Sequence, residues 1–594
     1  MTPRIPLRPL TRILEARRKG ENPDAIEREN LRLRHEAERD KMRQRAESRL
    51  LLMAFCFLAA FSTVGFRMAS LATAEAEEPR IATSASAILN TRADIVDRDG
   101  RVLATNLITN SLYAHPHEII DVPTTIEGLV RIFPDLDAER LARQFTAERR
   151  FVWLRRNISP EQEQMVHDLG EPGLLFGPRE MRLYPNGSIA AHILGGASFG
   201  QEAVNAAEVI GVAGVEAQFD TELRDPARDG APLELSIDLP VQAAIEEVLA
   251  GGMAIMNARG ATAVLMNVHT GEVRAMASLP DFDPNSRPRP LTEGEAADSP
   301  LFNRALQGVY ELGSVFKIFT VAQAMELGLV NPETMIDTTA PLRLGGFSIN
   351  DFHDYGATQS VTDVIVHSSN VGTARIAAMI GGERQRGFLE ELGFLEPTEL
   401  EMVEAATGRP IAPARWGDLS TATISYGHGL SSSPLHLAAA YSTIANGGTR
   451  VFPTLLRQDG PQNGARVISE ETSRAMSTML RAVVTEGTAS FGDVEGYAVG
   501  GKTGSADKPN PQGGYHEDRV LATFASVFPA DDPEYALIVT LDEPEIVALG
   551  ETRRTAGWTA VPVAAEIIRR TAPLMGLRPE IEPLANTQLS NASQ

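Results

Sequence analysis

The strongest hydropathy signal is Leu50 to Phe66, LLLMAFCFLAAFSTVGF, a run without a single charge. At about 1.5 Å per helical residue it reaches roughly 26 Å, close to a bilayer core, and predicts a membrane-spanning helix. Arg67 can carry its charge on to the interface and lengthen the span. Ala72-Thr73-Ala74 reads like a signal-cleavage site, yet residues 1–49 precede the run, longer than an ordinary signal n-region. The segment 50–66 is therefore read as an uncleaved anchor. Before it, residues 24–49 are dense in charge, with too few apolar positions for a heptad seam, and predict a solvated helix. After it, residues 67–90 are small and polar, and read as a linker.

From residue 91 the pattern changes. ADIVDRDGRVLATN predicts a strand, a turn at Asp99-Gly100 and a second strand. Helical spacing follows near 126–132 and 138–148, then a glycine-rich stretch within 182–223, so 91–230 reads as one α+β module. Residues 233–239 alternate like a strand, and 241–249 repeat like an amphipathic helix behind Pro240. ATAVLMNV, His269-Thr270-Gly271 and EVRAMASL form a second strand–turn–strand. Mixed helices and strands continue through ALIVTLDEP, giving a second module over 231–575. The polar tail 576–594 predicts disorder. The fold class expected is multidomain α+β.

Composition narrows this little: 43% hydrophobic and 22% charged residues are ordinary for a globular chain. The single cysteine, Cys56, excludes a disulfide framework and a thiol metal site. Charge is more telling. Residues 1–49 hold 14 Lys and Arg against 9 Asp and Glu, which puts the N-terminus in the cytosol and the rest of the chain outside it. The whole chain is at −23, so the exported part stands at about −29. That excess excludes nucleic acid and an anionic membrane surface as partners.

Five lysines stand against 50 arginines, and only Lys317, Lys502 and Lys508 lie beyond the anchor. Arginine keeps its proton in a protein, whereas a buried lysine can lose it and act as a base. Two of the three exported lysines fall in short motifs, Ser314-x-x-Lys317 and Lys502-Thr503-Gly504, with Ser368-Ser369-Asn370 between them. Ser314 would open a helix running through KIFTVAQAMELGL, where main-chain N–H groups favour negative charge. Lys317 would follow on the same face. Burial near Lys502 would lower the Lys317 pKa and let it take the serine proton at neutral pH.

S-x-x-K, a Ser/Asn motif and K-T-G in this order resemble the penicillin-recognising serine acyltransferases. The likeness extends to RADIVDRDG, RLYPNGSIAAHILG, GVEAQFD, NRALQGVYELGSVFK, YGHGLSSSPLHLAAAY and VGGKTGSA. It covers residues 92–575. The chain resembles a class B penicillin-binding protein, of the septal D,D-transpeptidase type used in bacterial division. The resemblance implies an elongated pedestal at 91–230. It also implies a serine-β-lactamase-like domain at 231–575, an antiparallel sheet flanked by helices. It implies that Ser314 attacks D-Ala-D-Ala of a peptidoglycan stem peptide and that a neighbouring amine takes the acyl group. Lys317 would be the base, Ser368 the proton relay and Asn370 a hydrogen-bond partner of the substrate amide. Lys502, Thr503, Gly504 and Ser505 would line the carboxylate end, with the main-chain N–H groups of Ser314 and Ser505 as the oxyanion hole. Arg92, Asp97, Arg98 and Glu216 would be structural ion pairs joining the modules. Implied partners are β-lactams as inhibitors, a polytopic SEDS-type glycosyltransferase and other divisome proteins; the implied place is the septal inner membrane.

Two positions depart from the family pattern: Leu312, where Pro is common, and Ser505, where Thr is common. The alternatives are an elongation-type class B transpeptidase, a catalytically inactive division scaffold, and a β-lactamase or β-lactam sensor. A bifunctional synthase is excluded because 91–230 is too short for a glycosyltransferase. His115-Pro116-His117-Glu118 reads as a surface loop rather than a metal site, and Asp351, His353 and Asp354 as a loop rather than a triad. No cofactor is implied.

Overall fold

The computed structural model describes residues 8–73, 92–147, 149–203, 206–510 and 512–580. Most of the expected linker and most of the C-terminal tail lie outside the described residues. Two compact units divide the chain: Met1–Glu78 with Ala114–Val152 and Glu171–Gly173, and Pro79–Tyr113 with Trp153–Gly170 and Leu174–Gln594.

In the first unit the charged segment and the apolar run form one continuous helix, Pro23–Thr73. Within it Arg49–Met68, 20 residues of mean hydropathy 1.9, is long and apolar enough to cross a membrane. The unit also holds helices Val122–Ile132 and Ala138–Thr146, capped by the carboxylates of Asp121 and Asp137. His115-Pro116-His117-Glu118 contains a single 3-10 turn, Pro116–Glu118.

In the second unit the expected hairpin is present: Ile95–Val96 pairs antiparallel with Val102–Ala114, and Ile95 lies opposite Ala104. Ile95–Val96 also pairs parallel with Leu233–Glu234. The strand expected over 233–239 is only these two residues long. Asp238 explains the difference: its carboxylate accepts the Val241 N–H, and with Pro240 it starts helix Leu239–Ile255 earlier than the periodicity suggested. The glycine-rich stretch is a hairpin, Gly196–Ala203 with Ala206–Ala213.

Glu216 is fully buried, and its carboxylate accepts from Arg92 Nε (2.6 Å), Arg182 Nε (2.7 Å) and the Tyr184 hydroxyl (3.2 Å). Arg92 also pairs with Asp220 at 2.6 Å. This corrects the expectation that Arg92 and Glu216 join the modules. All these partners lie within 91–230, and the network closes that segment on itself. Asp97 makes the join instead. Its carboxylate accepts the Asp99 and Arg101 N–H groups at its own turn, and also the Leu239 N–H at 3.1 Å, at the start of the following helix. Arg98 contributes chiefly through its main-chain N–H to Ile237 O (3.0 Å), since its guanidinium stands 4.0 Å from Glu272.

The larger module is built on a five-stranded antiparallel sheet. In spatial order its strands are Gly500–Pro509, Tyr515–Phe528, Tyr535–Asp542, Gly260–Asn267 and Val273–Leu279. Tyr535–Asp542 is buried at every position, and Gly260–Asn267 at all but its last. Both faces are covered, which is why these strands read as unbroken apolar text rather than as an alternation. Helix Pro434–Ala445 is buried along its whole length. It packs against the sheet and, through Tyr441, reaches the turn that carries Ser314. Gly500–Pro509 is an edge strand, and its free side borders the site.

Candidate active site

Ser314 sits in a 3-10 turn, Gly313–Phe316, and the α-helix proper begins at Lys317 and runs to Glu326. The sequence placed both residues in one helix; the tighter turn is the difference. Gly313 explains it with φ +65°, a left-handed conformation that side chains rarely adopt. A Cβ there would also come within 3.1 Å of Ser505 O. The buried Tyr441 hydroxyl donates to Val315 O at 2.9 Å and pins the turn from behind. Phe316, Phe319, Phe394 and Tyr441 pack edge to face around it.

Lys317 is fully buried. Its Nζ donates to the Ser368 hydroxyl at 3.0 Å and to the Ser368 main-chain oxygen. Burial, and then the charge of Lys502, hold its pKa well below the ordinary 10.5, against a smaller opposing pull from Asp351. Ser368 itself stands at φ +63°, an uncommon conformation for a side-chain-bearing residue, which turns its main-chain oxygen toward the lysine.

The second motif ends at a helix N-terminus. Ser369 caps helix Asn370–Ile380, accepting the Gly372 N–H at 2.9 Å. Asp351, from the loop preceding the motif, accepts from Ser369 Oγ (2.7 Å), Asn370 N–H (2.5 Å) and Val371 N–H (3.0 Å). Asp351 does lie in a loop, but it also anchors the helix end that carries Asn370, and no local spacing signals this. The Asn370 side chain donates to Asn350 O at 3.0 Å.

The third motif lies on the edge strand. Gly504 packs against the serine turn: a Cβ there would press on Leu312 O and come within 3.0 Å of Val315 Cγ1. Lys502, two residues earlier, shares that face by strand alternation. It is fully buried, its Nζ reaches Thr503 O at 3.3 Å, and burial lowers its pKa to about 7. On the other side Thr503 shares a 2.7 Å hydrogen bond with Thr488, and the Ser505 hydroxyl accepts the Ala556 N–H at 2.9 Å. Thr488, Ala556 and Tyr441 were not foreseen, since each acts from a distant segment.

Three motifs from separate stretches of chain thus surround one place. It holds a half-buried serine hydroxyl, a buried lysine of lowered pKa, a second hydroxyl on that lysine and an edge strand. The arrangement suits nucleophilic acyl transfer. Residues 261–569 match the penicillin binding protein transpeptidase domain, and residues 87–227 the penicillin-binding protein dimerisation domain. The chain is 36% identical to the probable peptidoglycan D,D-transpeptidase FtsI of Caulobacter vibrioides, over 86% of each chain. It is 28% identical to the peptidoglycan D,D-transpeptidase FtsI of Escherichia coli, over 83% of this chain and 85% of that one. Its fold is similar to a crystal structure of penicillin binding protein 3 from Mycobacterium tuberculosis in complex with aztreonam. The TM-score is 0.62 and the identity 25%, over 83% of this chain and 98% of that one. A transpeptidase domain matched over more than half the chain, behind a matched dimerisation domain, places the protein in its family: it belongs to the class B penicillin-binding proteins, as a peptidoglycan D,D-transpeptidase of the FtsI type.

Proposed function

We propose that the protein cross-links peptidoglycan at the division septum through an acyl-enzyme on Ser314. Lys317 takes the Ser314 proton as the oxygen attacks the carbonyl of the D-Ala-D-Ala bond. The proton passes by way of Ser368 to the leaving D-Ala amine, and the C–N bond breaks. An amine of a neighbouring stem then attacks the ester. A new C–N bond forms, the C–O bond breaks and Ser314 regains its proton. The Asn370 side chain holds the substrate amide. Lys502 and Thr503 belong to the strand that walls the site near the terminal carboxylate, with Ser505 nearby, and Gly504 lets the strand approach. The main-chain N–H groups of Ser314 and Ser505 stabilise the oxyanion, a contribution of about 3 kcal/mol per donor in comparable enzymes.

The observation that carries this reading is the bond from buried Lys317 to the Ser368 hydroxyl, beside a second buried lysine. It joins two motifs in one proton path. Arg49–Met68 serves as the anchor, with the N-terminus cytosolic and the transpeptidase domain periplasmic, and a SEDS-type glycosyltransferase in the membrane supplies the glycan strand. The full chain in detergent, treated with a fluorescent penicillin, tests the chemistry: a stable adduct on Ser314, absent in Ser314→Ala, is expected. Rapid loss of the label would indicate a hydrolase, and no label on folded protein an inactive scaffold. Depletion in the native bacterium tests the place. Filamentous cells support the septal role, and rounded, swollen cells the elongation role.

A further inference from the structure

A cluster of titratable groups at the rim of the site has no part in the chemistry above. Residues 426–429 run beside the Ser314 turn. The Gly313 N–H donates to Gly427 O at 3.2 Å, and the Gly429 N–H donates to the Glu311 carboxylate at 2.8 Å. These two bonds flank His428 and hold it in fixed relation to the nucleophile. The His428 ring lies 5.4 Å from the Tyr426 ring and 6.0 Å, edge to face, from that of Tyr515. The Tyr515 hydroxyl donates in turn to Glu311 at 3.0 Å. The buried Nδ1 of His428 has no hydrogen-bond partner among the described residues.

Charged and titratable groups face this ring from several elements. Glu311 comes from the loop before Ser314, Asp507 from the edge strand three residues past Gly504, and Lys317 from the helix. Tyr515 comes from the neighbouring strand, and Tyr426 lies on the same segment. Burial holds His428 below the ordinary histidine value. Glu311, Asp507 and the Tyr426 backbone oppose that shift, and Lys317 adds to it. Burial also raises Asp507, and the histidine pulls it back. The ring is thus a neutral base at physiological pH, with two carboxylates around it and the catalytic lysine within electrostatic reach.

We propose that His428, with Glu311 and Asp507, is the acceptor site, which binds the protonated amine of the incoming strand and deprotonates it. The inference rests on the Ser314 acyl-enzyme proposed above. The carboxylates attract the ammonium, and the imidazole takes one of its protons. The freed amine nitrogen bonds to the acyl carbon as the bond to Ser314 breaks. The second proton passes to the Ser314 oxygen through Lys317, and the imidazolium returns its proton to water. Donor chemistry needs none of these three groups, so the site sets the balance between transfer to an amine and loss to water.

The test uses the full chain in detergent, a thioester acyl donor ending in D-alanine, and free D-alanine as acceptor. The amide-to-hydrolysis product ratio is followed from pH 6 to 9. Penicillin labelling of Ser314 is measured in parallel. For His428→Gln the ratio falls by about 100-fold near pH 7, and the deficit narrows toward pH 9, where more of the acceptor amine is already free of its proton, while labelling is retained. For Asp507→Asn more D-alanine is needed for half-maximal transfer, and the limiting ratio holds. An unchanged ratio in both variants overturns the proposal. So does a His428→Gln protein that loses labelling together with transfer, because the ring would then only support the site. Wild-type protein that takes no label fails earlier, before any acceptor is added, and sinks the acyl-enzyme reading itself.

Discussion

Lys317 and Ser368 are 51 residues apart in sequence, yet the lysine Nζ lies 3.0 Å from the serine hydroxyl and also donates to that residue's main-chain oxygen. A lysine held by two acceptors at zero exposure, and facing another buried lysine, is poised to be neutral.

Lys317 acts as a base only after losing its proton, so acylation by a β-lactam rises with pH over a range well below 10.5. Lys502 must be charged to meet a carboxylate, and in the free site it loses its proton near pH 7. The second-order acylation constant therefore follows a bell, rising with Lys317 and falling with Lys502. Lys317→Arg keeps the charge but cannot deprotonate. It should lower the constant by about 10³-fold, and a rate within tenfold of wild type would exclude the base role.

A buried lysine costs stability wherever the unfolded chain would hold the proton more tightly. The Lys502 pKa is lowered on folding, so the cost is full below pH 7, shrinks as pH rises, and vanishes near the ordinary 10.5. Below pH 7 it is on the order of 5 kcal/mol. Lys502→Met should abolish acylation and raise the melting temperature, by more at pH 6 than at pH 9. Equal shifts at both would mean that folding does not lower the lysine's pKa.

Gly504→Ala tests the strand's close approach. The new methyl would press on Leu312 O and Val315 Cγ1 and push the edge strand off the serine turn. Acylation should fall by at least about tenfold and the melting temperature by a few degrees, since the clash is with main chain while the strand's ladder to Tyr515–Phe528 keeps the sheet formed. Stopped-flow β-lactam binding and thermal unfolding together decide it.

Glu216→Ala leaves Arg92 and Arg182 buried around an empty place. The expected loss is about 3–5 kcal/mol, read as a drop in the denaturation midpoint. Ser314 labelling should persist at low temperature, because no member of this network reaches the site.

Asp97→Asn addresses the join between segments. Burial raises the Asp97 pKa, but hydrogen bonds from the Arg101 and Leu239 N–H groups and the Arg101 guanidinium outweigh it, and the net shift is downward. Its contribution is present above the ordinary 3.8 and is lost as pH falls through the lower folded value. The variant should melt lower at pH 7 and show a flatter acid limb. An unchanged acid limb would assign the join to other residues.

Local text determined much of this protein. The uncharged 50–66 run, the Asp99-Gly100 hairpin and the unbroken apolar strands each follow from short-range chemistry. The three motifs were legible because lysine is so scarce here that its placement carries information. What the tertiary structure alone decided is who meets whom. Asp351 at the Asn370 helix, Tyr441 behind Val315, Thr488 on Thr503 and the closure of Arg92 on Glu216 within its own segment all depend on long loops returning to one place. Side-chain spacing along a strand or helix repeats every few residues, so it can set a face. It cannot say which distant residue that face will touch, because that depends on how the whole core packs.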